Sequence, residues 1–227
     1  MTTPARGGQQ RIPRPPDVGV GDAPPWAALD NGARAITVDR IREAVAGAPP
    51  GRPLAPTVPD AQAAAVLVPV FEEAGLARLI LTRRSTNLPS HQGEIAFPGG
   101  KVHAGETSEA GALREAHEEV GIRPEDVDVV GPLEEMATVA GRFVLAPFVG
   151  VLRERPKLVP NPAEVARVFD VALAELLEPD VYHQERWDLP GMGERPMHFF
   201  DVAGETVWGA TARILHDLLT LVTDSLR

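Results

Sequence analysis

Along the chain, apolar positions fall into two rhythms. "AAAVLVPVF" (63–71) and "ARLILTRRS" (77–85) are apolar runs separated by "EEAG", the pattern of a β-hairpin. "EIAFPGG" (94–100) reads as a short strand ending in a turn, and residues 107–120 as a helix. "VDVVGPLEEMATVAG" and "FVLAPFVGVLR" read as strands. "NPAEVARVFDVALAELL" reads as a turn, a short strand and a short helix, and "YHQERWDL" and "MHFFDVAGETVWG" as late strands. The chain closes on "ATARILHDLLTLVTDSL", where Ile214, Leu218, Leu221 and Val222 form a helical stripe expected to pack on the core. Strands and helices do not alternate regularly. The expectation is therefore an α+β arrangement, a mixed β-sheet between helices, rather than a doubly wound sheet.

Residues 1–60 differ in texture. They hold 11 of the 23 prolines and Gly-rich patches such as "GVGDAPP", and read as largely irregular. One helix interrupts them, "TVDRIREAVAG", with Thr37 as N-cap, Val38, Ile41 and Val45 on one stripe, and Gly47 as a stop. Trp26 in "PPWAAL" is expected to pack onto the main body. The division is thus an N-terminal extension, 1–60, and a main domain, 61–227.

Composition narrows the function. A formal net charge of −10 leaves no basic footprint for nucleic acid, and a phosphate ligand would need a local cation or metal. Cysteine is absent, which excludes disulfides and thiolate metal sites. No run is long and apolar enough to span a bilayer, and no N-terminal stretch has the make-up of a signal peptide. A cytoplasmic protein without membrane attachment is expected.

The chemistry concentrates in "LREAHEEVGI" (113–122). At 100° per residue, Leu113, Ala116 and Val120 share one face, and Glu115, Glu118 and Glu119 crowd the opposite one. Thr107 or Ser108 would cap the start and Gly121 the end. Like charges about 6 Å apart cost roughly 0.7 kcal/mol per pair in water, and several-fold more in a cleft. Arg114 offsets Glu118 only in part. One reading is a solvated helix face; the other is a divalent-cation site, since hard cations take carboxylate oxygens.

The upstream context favours the second. In "GGKVHAGETSEAGALREAHEEVGI" five residues separate Gly100 from Glu106, and seven separate Glu106 from Arg114; Glu115, Glu118, Glu119, Gly121 and Ile122 follow, with Ala116 at the aliphatic position. This resembles the Nudix box position for position. The resemblance implies a mixed sheet between helices, with the box as loop–helix–loop. It also implies Mg²⁺ or Mn²⁺ held by Glu115, Glu118 and Glu119 with the Gly100 carbonyl, and attack of water on a phosphorus of a P–O–P bridge. Physically, "FPGG" is read as a sharp turn, with Gly99 and Gly100 structural, and Arg114 and Glu106 as a brace of loop against helix. Nudix proteins commonly dimerise, so a homodimer is expected on resemblance.

A narrower likeness lies in "LTRRSTNLPSHQGEIAFPGGK", where Leu81, Thr82, Arg84, Ser85, Leu88, His91, Gly93, Glu94, Phe97 and Pro98 resemble the element of the coenzyme A pyrophosphatase branch. "NPAEVARVF" and "VWGATARIL" also look like that branch, and the likeness spans roughly residues 62–219. Glu106 stands where the branch often has Asp. The implied reaction splits coenzyme A into 3′,5′-ADP and 4′-phosphopantetheine. ADP-ribose, NADH or a nucleotide sugar is the alternative substrate class. A non-catalytic nucleotide-sensing Nudix module is a different class of function, and a Ca²⁺-stabilised structural helix a third; the intact box counts against both.

Individual residues carry paired readings. The general base is either a box glutamate or a later acid, for which Glu164 in "PNPAEVARV" is the candidate. Arg84, or Arg83, would contact a phosphate of the substrate; the alternative is a solvated strand end. Lys101 would reach a phosphate or simply be exposed. His91 would orient substrate or, preferably, brace its loop. Glu94 would join the metal site or pair with Arg84. Trp208 is read as core.

Overall fold

In the computed structural model, which describes residues 6–49, 60–138 and 143–224, strand β2 (Gln62–Glu73) is the axis of the main sheet. It is buried over its whole middle, because both of its faces are covered. That explains why its sequence is a continuous apolar run rather than an alternating one. Even so, its side chains divide by parity. Ala65, Leu67 and Phe71 enter one core cluster; Val66, Val68 and Val70 enter another on the opposite face.

Strand β3 (Leu76–Arg84) returns antiparallel through Ala74 and Gly75. Both have positive φ, 53° and 77°, as a two-residue hairpin turn requires. β3 pairs with β2 only as far as Leu79 and then diverges. The edges opened by that divergence are taken up by β4 (Ile95–Ala96), which pairs with β3, and β5 (Gly99–Lys101), which pairs with β2. Helix α2 spans Ser108–Val120 and a 3₁₀ turn Pro124–Asp126. Beyond them β6 (Val127–Pro132) and β7 (Met136–Ala137) pair antiparallel with β8 (Phe143–Leu152), and β8 runs parallel to β2. β9 (Val165–Ala172) pairs antiparallel with β3 along most of its length and leads into the short helix α3 (Leu173–Leu176). The main sheet is therefore mixed, as expected. The segment "VDVVGPLEEMATVAG", read as strand, is divided into β6 and β7, and its part beyond 138 lies outside the described residues.

A second sheet departs from the single sheet expected. β1 (Val18–Val20), β10 (Tyr182–Leu189), β11 (Gly193–Val202) and β12 (Glu205–Trp208) form an antiparallel sheet in the order β1-β10-β11-β12. β1 lies in a Gly-rich segment read as irregular. It needs no pattern of its own, because β10 supplies the ladder.

The helices cover both faces of the main sheet. Ala112, Ala116 and Val120 of α2 pack on the face of Ala65, Leu67, Phe71 and Ile80. Helix α1 (Val38–Gly47) and helix α4 (Gly209–Asp224) cover the other, through Val38, Ile41, Val45, Ile214, Leu218 and Val222. Thr37 caps α1 as expected, its side chain accepting from Arg40 N–H. Trp26 is buried in the same cluster. The N-terminal extension thus shares the core of the main domain. Trp208 is half-buried, beside Trp187. Among the described residues no helix is long and apolar enough to cross a membrane.

Candidate active site

Helix α2 begins where Thr107 accepts from Ala110 N–H at 3.1 Å, and ends at Gly121 in the left-handed region, φ 76°. Its acidic face differs from the expected one. Glu119, seven residues after Ala112, returns to within about 20° of it on the helix wheel. It therefore flanks the buried stripe and is only 4% exposed. Leu113, expected in that stripe, is only partly buried. Glu118, on the outer side, keeps 53% of its side chain exposed.

Arg114 does more than the partial offset expected. Its guanidinium donates to Glu106 at 2.9 and 3.2 Å, to Glu115 at 2.9 Å, to Glu118 at 3.1 Å, and to the Lys101 carbonyl at 2.9 Å. Glu106 also accepts from His103 N–H. Together these hydrogen bonds hold its carboxyl well below the usual range, at about 2. The brace of loop against helix is present.

Glu119 stands apart from this hub. It accepts from Gly99 N–H at 3.2 Å. Burial pushes its pKa up to about 7; the Gly99 hydrogen bond and the nearby Arg84 charge oppose the shift, and Glu115 and Glu164 add to it.

The two glycines of "FPGG" are not a turn. Both lie in β5, in register with Val66 and Ala65 of β2, and neither has positive φ. Their requirement is proximity. A Cβ on Gly99 would fall 2.6 Å from the Val66 Cα, and one on Gly100 would fall 2.6 Å from the Glu115 carboxyl carbon. The backbone of β5 thus meets the carboxylates of α2 without a side chain between, Gly99 N–H at Glu119 and Gly100 at Glu115.

The arginine pair is sorted by strand parity. Ile80, Thr82 and Arg84 alternate onto the α2 face; Leu79, Leu81 and Arg83 onto the other. Arg84 sits near enough to lower the Glu119 pKa, and its Nε is buried without a hydrogen-bond partner. Arg83 points away from the box and pairs at 3.3 Å with Glu205, a fully buried carboxylate on β12 that Arg167 also pairs with at 2.8 Å. Of the two arginines offered as the phosphate contact, β-strand alternation places Arg84 on the face of α2 and Arg83 on the opposite one.

The turn after β8 is stitched to the end of α2. Val159 N–H donates to the Val120 carbonyl and Asn161 N–H to the Glu119 carbonyl, at 2.9 and 2.8 Å. Asn161 caps the turn through Ala163 N–H and donates to Glu164 at 3.3 Å. The Glu164 carbonyl accepts from Ser85 N–H at 2.7 Å, which ties this turn to the loop that follows Arg84. Glu164 thereby lies among Glu119, Asn161 and Ser85. Ser85 stands in the coenzyme A-type element of the sequence, whereas Asn161 was not singled out; the Asn-Pro start of the turn was the available signal.

The remaining candidates lie further out. The His91 ring, 65% exposed, pairs with Glu94 at 2.9 Å within its own loop. Glu94 therefore does not pair with the Arg84 side chain; its carbonyl instead accepts from Arg84 N–H. Lys101 is exposed, its ammonium 5.8 Å from the Phe143 ring centroid.

Among the described residues, no three acidic or histidine side chains are gathered as a ready-made ion site. Arg114 explains this, since it takes up Glu115 and Glu118. The donor set nevertheless fits a hard divalent cation. A buried carboxylate with no cationic hydrogen-bond partner, Glu119, lies on the same face as Glu115, whose carboxylate rests against the bare backbone of Gly100.

The glutamates of α2 thus lie beside glycine backbone where β2 and β3 splay apart, an arrangement suited to the diphosphate chemistry of Nudix hydrolases, the class that acts on nucleoside diphosphate derivatives. The NUDIX domain pattern matches residues 61–189, and the chain belongs to that family. It is 41% identical over 156 residues to the uncharacterized Nudix hydrolase NudL of Photorhabdus laumondii, covering 68% of this chain and 82% of that one. It is 41% identical over 168 residues to Nudix hydrolase 22, chloroplastic, of Arabidopsis thaliana, covering 70% of this chain and 55% of that protein. Among solved structures, a MutT/nudix family protein from Enterococcus faecalis shares the fold, with TM-score 0.52 over 86% of this chain and 72% of that one, at 15% identity.

Proposed function

We propose that this Nudix hydrolase splits the diphosphate bridge of coenzyme A or its derivatives, releasing 3′,5′-ADP and 4′-phosphopantetheine or its acyl form. The observation that carries the reading is Arg84. It stands in the element that resembles the coenzyme A pyrophosphatase branch, and it brings a buried, unpartnered Nε to the Glu119 side of α2. A guanidinium with unused donors beside carboxylates is what a bridging diphosphate, itself accompanied by cations, would complete.

Mg²⁺ or Mn²⁺ would be held by Glu115, Glu118 and Glu119 with the Gly100 carbonyl; bound there, it would polarise phosphoryl oxygen and offset carboxylate charge. This chain's residues do the rest. Arg84 orients the diphosphate. Gly99 and Gly100 allow close approach. A carboxylate, Glu164 or a box glutamate, takes the proton of the attacking water. The water oxygen bonds to one phosphorus, and the bridging oxygen leaves with the other phosphate. We take 61–227 as the working domain and 1–60 as its extension, acting as a cytoplasmic enzyme and a homodimer.

The test is a ranking of kcat/KM for coenzyme A, acetyl-coenzyme A, ADP-ribose, NADH and a nucleotide sugar. Coenzyme A compounds are expected to lead by at least tenfold. A lead for ADP-ribose or NADH would refute the substrate while leaving the class intact. Binding of a nucleotide with no turnover of any would indicate a sensing module.

A further inference from the structure

The segment 6–10 lies outside the residues matched by the family, yet it is fastened across the β11–β12 hairpin. Gly7 N–H donates to the Val202 carbonyl at 2.9 Å, and Gly8 N–H to the Thr206 hydroxyl at 3.0 Å. Thr206 N–H donates back to the Gln10 side-chain oxygen at 2.8 Å. The approach is close: a Cβ on Gly8 would fall 2.7 Å from the Glu205 Cα and 2.8 Å from the Gly204 carbonyl.

What this strap delivers is the Gln10 amide. Its nitrogen donates to Glu205 at 2.6 Å and reaches the Gly93 carbonyl at 3.5 Å. Both contacts lead towards Arg84. Gly93 N–H donates to the Arg84 carbonyl at 3.2 Å, and Arg84 N–H to the Glu94 carbonyl at 3.0 Å, so Gly93 belongs to the backbone clasp around Arg84. Glu205 meanwhile holds Arg83, the neighbouring residue on β3. One side chain thus joins the N-terminal segment, the second sheet and the loop that follows Arg84.

We propose that Gln10 is a positioning residue for the Nudix reaction: carried on the strap 6–10, its amide clamps Gly93 to Glu205 and fixes the loop 85–94 that sets Arg84 against the α2 cleft. Gln10 touches no reacting group in this role; it acts through Gly93 and Glu205. The chemistry suits the task. A primary amide supplies a donor to the buried carboxylate and an acceptor to Thr206 N–H, which no charged side chain of that length offers together. The proposal rests on the reading of Arg84 as the diphosphate contact.

Its test uses the full chain and two readouts. In Gln10→Ala, amide hydrogen exchange across 84–94 is expected to quicken at least threefold, with α2 unchanged. KM is expected to rise about fivefold, with kcat within twofold of wild type, for whichever diphosphate the wild type cleaves. Gly8→Ala, which lifts the same strap by its backbone, should reproduce both effects. Gln9→Ala, at an exposed position on the strap, should reproduce neither. Unchanged exchange at 84–94 overturns the clamp. Faster exchange with unchanged KM, or an equal loss of kcat and kcat/KM, overturns the positioning role. A wild type that prefers ADP-ribose to coenzyme A refutes the substrate reading and leaves the clamp to be decided by the exchange and that substrate's KM.

Discussion

Gly99 and Gly100 are neighbours in one short strand, and replacing each by alanine should have opposite consequences. An alanine Cβ at 100 would lie 2.6 Å from the carboxyl carbon and from Oε1 of Glu115. Ordinary contact needs about 3.5 Å, so the carboxylate must retreat by roughly 0.9 Å. It is the far end of a flexible side chain, and its retreat breaks the 2.9 Å bond to Arg114 rather than the fold. Stability should fall by about 1 kcal/mol or less, while a misplacement of about 1 Å in the reactive cleft should cost on the order of 10²-fold in kcat. At 99 the Cβ would meet the Val66 backbone at 2.6 Å, in the middle of the buried β2. That neighbour cannot retreat, so Gly99→Ala should cost at least 3 kcal/mol, roughly the upper range for overpacking. Urea unfolding gives the stability and steady-state kinetics with Mg²⁺ gives kcat. If Gly100→Ala keeps kcat within threefold, or destabilises as much as Gly99→Ala, the placement of Glu115 against bare backbone is wrong.

Further outcomes follow from the same geometry. Glu119→Gln keeps an acceptor for Gly99 N–H, so it should fold normally and lose at least about 10³ in kcat; circular dichroism and turnover check this together. Arg84→Ala should lower kcat/KM by more than about tenfold, whereas Arg83→Ala should change it less than about threefold while lowering the urea midpoint, because Glu205 loses one of its two arginines. Burial, with the neighbouring His216 and Arg213 adding to it, holds His198 down at about 3, against 6.5 for a free histidine. The unfolded chain therefore binds the extra proton below about pH 6.5 and the folded chain does not. Stability should be fully present above that pH and fall by up to about 1.4 kcal/mol per pH unit towards pH 3. Urea midpoints between pH 7 and pH 5 measure the slope, and His198→Gln should flatten it; an unchanged slope would assign it to other groups.

Much of the site was legible because the box is local. Glu106, Arg114, Glu115, Glu118 and Glu119 sit within fourteen residues on one loop and one helix, so their spacing states their geometry directly. What sequence could not state were relations between distant strands. "FPGG" reads as a turn until β2 is seen beside it, because nothing local says that Gly99 faces Val66. Arg83 and Arg84 are indistinguishable by type, and only the side on which α2 packs separates them. The wheel around α2 places Glu119 among carboxylates or beside Ala112 according to where the core begins. The Glu205 cluster joins residues 10, 83, 167 and 205, and β1 exists only by pairing with β10. β10, β11 and β12 are legible as strands, but pairing, not pattern, makes them a separate layer with β1.

Hydrolysis of the coenzyme A diphosphate at the α2 cleft with a divalent cation, proposed above, is open to direct chemical test. The most direct measurement is product mass spectrometry of coenzyme A turned over in ¹⁸O-labelled water with Mg²⁺ or Mn²⁺, beside EDTA-treated protein and Glu119→Gln. The expected products are 3′,5′-ADP and 4′-phosphopantetheine, with one labelled oxygen on only one of them, and none in either control. Intact coenzyme A in the wild-type reaction, or products that persist undiminished in Glu119→Gln, would contradict it.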